Sequence, residues 1–342
     1  MNDVIKPTIC VCAPARTCIT GEGADQVDVG EIDASVKRLR ALGWRVTETP
    51  NVRELDHGFA GDDAHRARGV MDAFADPDTD LVLPIRGGYG TARILPLLNW
   101  EAIGRSEAVF AGLSDLTAVN LALFSRCNRA SWQGPVAHAF ARGNALFEER
   151  FMRAMRESVF SFESPVKAWG VGKNGQEQGE SGQRFAAEGP VWGGNLTILL
   201  SLLGTLWFPR PEQIEGGILI VEDIYVTAWR LERMLVQLAQ CGILARQRAL
   251  VVGDVTGHAA GLKGPNSGIA LEDALHYVSR LAGIPVFVGL PFGHREDTMT
   301  LPVGCPGAIA YEDGRLQMTV DNPPVPAEYP GAEASRKPLW WV

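Results

Sequence analysis

Apolar residues in this chain follow two rhythms that alternate: short unbroken runs, and longer stretches with one apolar position every three or four residues. Thr8 to Ala13, Asp80 to Ile85 and the run opening at Val109 read as buried strands, and Trp44 to Thr49 alternates as a half-buried one. Between them Ile32, Val36, Leu39 and Leu42 mark one helical face closed by Gly43. A second helix spans Ala64 to Phe74 and stops at Asp76-Pro77-Asp78. A short helix is expected over Ala92 to Leu98. Strands alternating with helices, with near-continuous apolar strands, predict a parallel sheet covered on both faces.

Farther along, Leu146, Phe147, Met152 and Met155 predict a helix within residues 141–160. From Lys167 to Ser181 Gly, Gln, Glu, Ser and Asn dominate without a period, which reads as a linker or surface loop. A second unit begins near Ala187. Its helices carry Leu196, Leu199, Leu200 and Leu203, then Leu231, Met234, Leu235 and Leu238, then Glu272 to Leu281. Its strands are Gly217 to Val221, Ala249 to Val252 and Pro285 to Val288. Ala308 to Tyr311 and Leu316 to Val320 form a hairpin about Asp313-Gly314. The expected organisation is α/β throughout. An N-terminal domain (1–165) has a flavodoxin-like or Rossmann-like parallel sheet. A linker (166–187), a C-terminal α/β domain with a mixed sheet (188–320) and a Pro-rich tail (321–342) follow.

The totals exclude several classes. The chain has 342 residues, 46% hydrophobic and 21% charged, with a net charge of -8. Lys and Arg are scattered, so no basic stripe suggests nucleic-acid binding. No apolar run has the length of a membrane span. The first residues lack the ordered charged and apolar regions of a signal peptide, so a cytoplasmic location is expected. The six cysteines show no paired metal spacing, and Cys10 and Cys12 share one strand face. Buried free thiols are the expected account, with no metal or other cofactor.

Candidate chemistry collects where strands end, which is where ligands bind in such sheets. After the Val109 run comes Gly112, one residue, then Ser114 and Asp115. Helical spacing follows at once in Leu116, Val119, Leu123 and Phe124. That places Ser114 on a sharp strand-to-helix turn, suited to a nucleophile. A serine nucleophile needs a base. Among six histidines, His65 and His276 lie in helical patterns, and His57 and His258 lie in polar loops. His138 is a second candidate. His294 follows a buried strand through Gly289-Leu-Pro-Phe-Gly293 and is the first. Glu222 ends the strand Ile218 to Val221 and suits the orienting acceptor on the far nitrogen of the base. An ion pair with Arg230 or Arg233 is the competing reading, and Asp223 competes as a helix cap. Oxyanion donors are expected at the Asp115 N–H and in Arg86-Gly-Gly-Tyr-Gly90, at Gly88. That loop lacks the Lys and Ser/Thr of a phosphate-binding loop.

Taken in order, Arg86-Gly-Gly-Tyr-Gly90, Gly112-Leu-Ser-Asp-Leu-Thr117, Gln133-Gly-Pro135, Trp192-Gly-Gly-Asn-Leu196, Ile220-Val-Glu-Asp223 with Arg230-Leu-Glu-Arg-Met-Leu235, and Gly293-His294 resemble the LD-carboxypeptidases. These are the muramoyltetrapeptide carboxypeptidase family of serine peptidases. The resemblance runs from about Thr8 to Tyr311, and two of the stretches look closest to the proteobacterial cytoplasmic branch. It implies a Ser114–Glu222–His294 triad, with Glu and His on a second, swivelling-type domain across a cleft. It also implies Gly88 and Asp115 amides at the oxyanion, a murein tetrapeptide or muropeptide substrate losing its terminal D-alanine, no cofactor, and a homodimer. The family's first strand often ends Ala-Pro-Ser, where this chain reads Ala13-Pro14-Ala15. The tail beyond Asp321 is longer than the family leads one to expect. Recognition of a free D-alanine carboxylate needs a cation, for which Arg86 is the candidate on position; Trp192, beside the Gly-Gly-Asn turn, is a candidate lining of the substrate channel, with a core tryptophan the equal alternative. Two other readings stand beside this one. One is a microcin-immunity-like peptidase cleaving a peptidyl-nucleotide amide, and the other a cell-wall-peptide or nucleotide binding protein without turnover. A metallopeptidase lacks its HExxH pair.

Overall fold

The computed structural model describes residues 6–20, 29–171, 183–256 and 269–323, and two principal sheets organise them. The first contains β1 (Thr8–Cys12), β2 (Arg45–Glu48), β3 (Leu81–Pro84) and β4 (Val109–Phe110) in the order β2-β1-β3-β4, every pairing parallel. Alternate residues of β1 serve two layers. Ile9 and Val11 pack with Ile32, Val36 and Leu39 of the helix Gly30–Ala41, while Cys10 and Cys12 pack with Ala67, Val70 and Phe74 of the helix Asp63–Ala75. A strand buried on both faces has no polar side to show, which is why β1 and β3 are unbroken apolar runs. The edge strand β2 alternates instead.

The later strands are β5 (Ser131–Gln133), β6 (Val159–Pro165), β7 (Lys167–Trp169), β8 (Arg184–Asn195), β9 (Ile218–Ile224), β10 (Ala249–Thr256), β11 (Val286–Val288), β12 (Leu301–Val303), β13 (Cys305–Glu312) and β14 (Arg315–Asp321). Among the described residues, the second sheet runs β6-β14-β13-β8-β9-β10-β11-β7. Its β8-β9-β10-β11 centre is parallel and its flanks are antiparallel, so the sheet is mixed as expected. β5 and β12 pair antiparallel with each other. β5 also bridges to Ala111, just past β4. This small ladder ties the strand before Ser114 to the segment after His294.

The helix Thr117–Cys127 lies between the two halves. It is buried continuously from Thr117 to Ser125, and Ala118, Leu121 and Ala122 share one apolar cluster with Leu196 and Leu199. A helix covered all round has no polar face, so its pattern is broader than the single face read from Leu116, Val119, Leu123 and Phe124.

The junction differs from the expected boundaries. The helix within 141–160 stops at Arg156, and β6 begins at Val159 as a strand of the second sheet. Within the expected linker, 166–187, β7 pairs with β11, and β8 begins at Arg184 and pairs with β13. Edge pairing explains the miss, because β6 alternates buried and exposed positions with Ser and Glu outward and offers no apolar run. Of the tail 321–342, Asp321 closes β14, and 324–342 lie outside the described residues. Among the described residues no helix is long and apolar enough to cross a membrane.

Candidate active site

Ser114 stands where the sequence places it, between β4 and the buried helix, as the first residue of a 3-10 turn Ser114–Leu116. Its φ is 67°, a left-handed value. For a residue with a Cβ that conformation costs about 1–2 kcal/mol, so the surrounding contacts must hold it. Asn120 Nδ2 donates to the Gly112 carbonyl at 2.9 Å and fixes the approach to the turn. A Cβ on Gly112 would lie 2.7 Å from the Cβ of Leu116, so only glycine lets the chain turn this sharply there.

The glycine loop packs directly on this turn. A Cβ on Gly87 would come 3.3 Å from Ser114 Cβ and 3.4 Å from the Asp115 nitrogen. Gly88, at φ 109°, takes a conformation that L side chains rarely adopt. Asp115 is buried, and its Oδ2 accepts the Thr91 N–H at 2.8 Å, joining the serine turn to the far end of the glycine loop. Burial pushes the Asp115 carboxyl above its ordinary pKa, and the Thr91 hydrogen bonds and the Arg66 charge oppose that. Its side chain is therefore structural, while its N–H sits at the start of the turn.

Glu222 and His294 meet on the second sheet. His294 Nδ1 lies 2.7 Å from Glu222 Oε2. The Glu222 side chain is 0% exposed and that of His294 22%. Glu222 comes from β9. His294 comes from the loop after β11, through Gly293 at φ 120°. A Cβ on Gly293 would lie 2.9 Å from Glu222 Cβ and 3.0 Å from Oε2, so the imidazole reaches the carboxylate only because residue 293 has no side chain. Burial, the largest single influence on the His294 pKa, lowers it. The hydrogen bond to Glu222 and the charges of Glu222, Asp223 and Asp254 together outweigh burial, and the net displacement is upward.

A chain of hydrogen bonds joins this pair to the serine turn. The other Glu222 oxygen, Oε1, accepts from Asn195 Nδ2 at 3.0 Å. Asn195 N–H donates to Thr117 Oγ1 at 3.0 Å, three residues after Ser114. Gln133 Nε2 donates to the same hydroxyl at 3.0 Å. Asp223 takes no part in the pair with His294. Its carboxylate accepts from Thr197 N–H at 3.1 Å and Thr197 Oγ1 at 2.7 Å, in the first turn of the helix Leu196–Ser201. It is not the expected helix cap, since Asn195 caps that helix and Thr227 caps the helix Ala228–Gln240. The competing partner Arg233 lies over the Trp229 ring.

The remaining candidates separate by position. His138 Nδ1 lies 3.2 Å from the Ile85 carbonyl. Its pKa is lowered by burial first and then by Arg86. His57 and His65 pair with Asp56 and Glu54. His258 lies outside the described residues. Trp192 is not a channel lining. It is 1% exposed, its Nε1 donates to Gln247 Oε1 at 2.8 Å, and its ring meets Phe208 edge-on in the core. Arg86 is half-buried and donates through Nη1 to the Thr17 carbonyl at 3.2 Å. No spacing marks Asn195, Thr117 and Gln133 as working residues, although all three stand in motifs that the sequence offers. Among the described residues, no three His, Cys, Asp or Glu side chains gather to hold a metal ion.

A serine hydroxyl on a left-handed turn at a helix start, with backbone N–H groups beside it and a buried carboxylate–imidazole pair bonded back to the same helix, is the equipment of a serine-type hydrolase. Comparison with known proteins places it further. Residues 9–134 match the LD-carboxypeptidase N-terminal domain and residues 188–309 the LD-carboxypeptidase C-terminal domain. The chain belongs to the LD-carboxypeptidase family. The crystal structure of muramoyltetrapeptide carboxypeptidase from Oxalobacter formigenes is 32% identical, with a TM-score of 0.77 over 93% of this chain and 100% of that one. Murein tetrapeptide carboxypeptidase of Pseudomonas aeruginosa is 29% identical, covering 82% of this chain and 89% of its own length. An MccF-like protein of Bacillus anthracis shares the fold, at 22% identity and a TM-score of 0.75 over 93% of this chain and 97% of that one.

Proposed function

We propose that this chain is a serine carboxypeptidase that releases the terminal D-alanine of murein tetrapeptides, with Ser114 as nucleophile, His294 as base and Glu222 as its orienting partner. The observation that carries the reading is the hydrogen-bonded run from Thr117, behind Ser114, through Asn195 and Glu222 to His294. An ionised carboxylate only accepts hydrogen bonds, so Glu222 holds the imidazole proton on Nδ1 and leaves the Nε2 lone pair free.

Ser114 Oγ attacks the carbonyl carbon that joins the L-centre of the third residue to D-alanine, and His294 Nε2 takes the hydroxyl proton. The carbonyl oxygen becomes an oxyanion facing the Asp115 and Gly88 N–H groups. Losing one such donor typically costs about 3 kcal/mol. The C–N bond breaks as His294 returns the proton to the departing amine, leaving a tripeptidyl ester on Ser114. Water, deprotonated by the same imidazole, cleaves the ester and restores the hydroxyl. The test is chromatography of products from a free tetrapeptide: a tripeptide and D-alanine are expected, and binding without product would defeat the reading.

The pH dependence follows from His294. The base must be neutral, and its pKa lies above the ordinary 6.5. The imidazolium therefore persists to higher pH than in a free histidine. On its acid side kcat/KM should rise tenfold per pH unit, bending over above pH 6.5. A limb bending well below that value would remove His294 from the role of base. The resemblance further supports a cytoplasmic homodimer acting on recycled murein peptides. Light scattering on the purified chain should return twice the protomer mass, and a single protomer mass would reject that part.

A further inference from the structure

We infer that Arg16 is the cation that recognises the free carboxylate of the departing D-alanine, and so makes the site a carboxypeptidase rather than an endopeptidase. The inference rests on the proposed function and names a specificity residue for it. The bonds from the scissile carbonyl carbon to the D-alanine carboxylate carbon, C–N, N–Cα and Cα–C, span no more than about 4 Å. A recognising cation must therefore stand within one residue's reach of the oxyanion loop.

Arg16 meets that condition. Gly87 faces the serine turn and the Asp115 nitrogen, while its neighbour Gly88 faces Arg16: a Cβ on Gly88 would lie 3.0 Å from Arg16 Cδ and 3.3 Å from Cγ. The aliphatic stem thus rests on the glycine that is to bind the oxyanion, and the residue is exposed. Its backbone is held on both sides. Arg16 bridges to Phe59, Thr17 N–H donates to the Gly58 carbonyl at 3.2 Å, and Ala60 N–H donates to the Ala15 carbonyl at 3.3 Å. The buried Arg66 locks the two loops together, with Nη1 donating to the carbonyls of Pro14 at 2.7 Å and Gly90 at 3.0 Å.

Two other nearby cations are engaged by Asp63. Arg66 also pairs with Asp63 and is fully buried. Arg93 pairs with Asp63 at 2.9 Å. Arg86 points one nitrogen at the Thr17 carbonyl, in the loop that carries Arg16, and so positions that loop. The Arg16 guanidinium has no hydrogen-bond or ion-pair partner among the described residues, which leaves its fork of donors for a carboxylate.

The test compares a murein tetrapeptide ending in free D-alanine with the same peptide ending in D-alaninamide. Wild type should prefer the acid. Arg16→Ala should lower kcat/KM for the acid about 10- to 100-fold, the range of a lost charge-assisted hydrogen bond, and change the amide less than about 3-fold, with circular dichroism unchanged. Arg16→Lys should recover part of the preference, since a point charge replaces the fork. An Arg16→Ala enzyme that keeps the wild-type acid-to-amide ratio overturns the inference. That outcome leaves the functional reading standing. A wild-type chain that releases neither D-alanine from the acid nor D-alaninamide from the amide overturns that reading, and this inference with it.

Discussion

Ser114→Ala should lower kcat for D-alanine release by about 10⁴- to 10⁶-fold, the range for removing a serine nucleophile from a working triad, while the tetrapeptide still binds. The expectation follows from how the turn is built. Ser114 holds a left-handed φ of 67° that its own side chain does nothing to relieve. The contacts that enforce it belong to Gly112, Asn120 and Asp115. Alanine keeps the Cβ that Gly87 packs against, so the turn should survive with only the hydroxyl lost. Chromatographic D-alanine release and a thermal melt check the two halves. A loss of activity together with a large fall in Tm would point to a structural role for the serine instead.

Glu222→Gln should cost about 10³- to 10⁴-fold in kcat with little change in KM, for a reason that lies in the hydrogen-bond pattern. Asn195 Nδ2 donates to Oε1 of residue 222. In the variant the amide oxygen satisfies that donor, which turns the amide NH₂ toward His294 Nδ1. The imidazole must then accept at Nδ1 and carry its proton on Nε2, the nitrogen that has to be free. The hydrogen bond and charge of Glu222 that raise the His294 pKa also disappear, while burial, which lowers it, remains. The acid limb of the pH profile should therefore move to lower pH as kcat falls. An unmoved limb with full activity would leave the pair a structural contact.

Burial decides which elements are legible in the sequence. β1 and β3 are central and apolar on both faces, so their runs are unmistakable. Ser114 opens the turn that follows β4, and Glu222 stands where the apolar run Ile218–Val221 stops, although β9 itself continues through it to Ile224. β6 and the first half of β8 lie on half-exposed surfaces of the mixed sheet and read as polar, so the second sheet starts earlier in the chain than its apolar pattern. Trp192 stands beside the Gly193-Gly194-Asn195 turn, a position that suits a channel lining as well as a core, and only the fold brings Gln247 to its indole N–H and settles the core. Asn195 stands just before the helical spacing of Leu196, Leu199 and Leu200, and it caps that helix: its Oδ1 accepts the Ile198 N–H at 3.1 Å. Its second task, holding Glu222, depends on β8 lying beside β9, which no local spacing reveals. Arg16 was invisible for the same reason, since its neighbour Gly88 is far along the chain.

The proposed mechanism makes and breaks an acyl bond at Ser114, beside a hydrogen-bonded run from Thr117 to the carboxylate–imidazole pair on the second sheet. The most direct measurement is to quench wild type with acid during turnover of a tetrapeptide and map any covalent adduct by mass spectrometry. The tripeptidyl group should appear on the tryptic fragment from Ser106 to Arg126, at Ser114, and be absent from Ser114→Ala. A tripeptidyl adduct on any other fragment, or D-alanine released by Ser114→Ala at the wild-type rate, would contradict it.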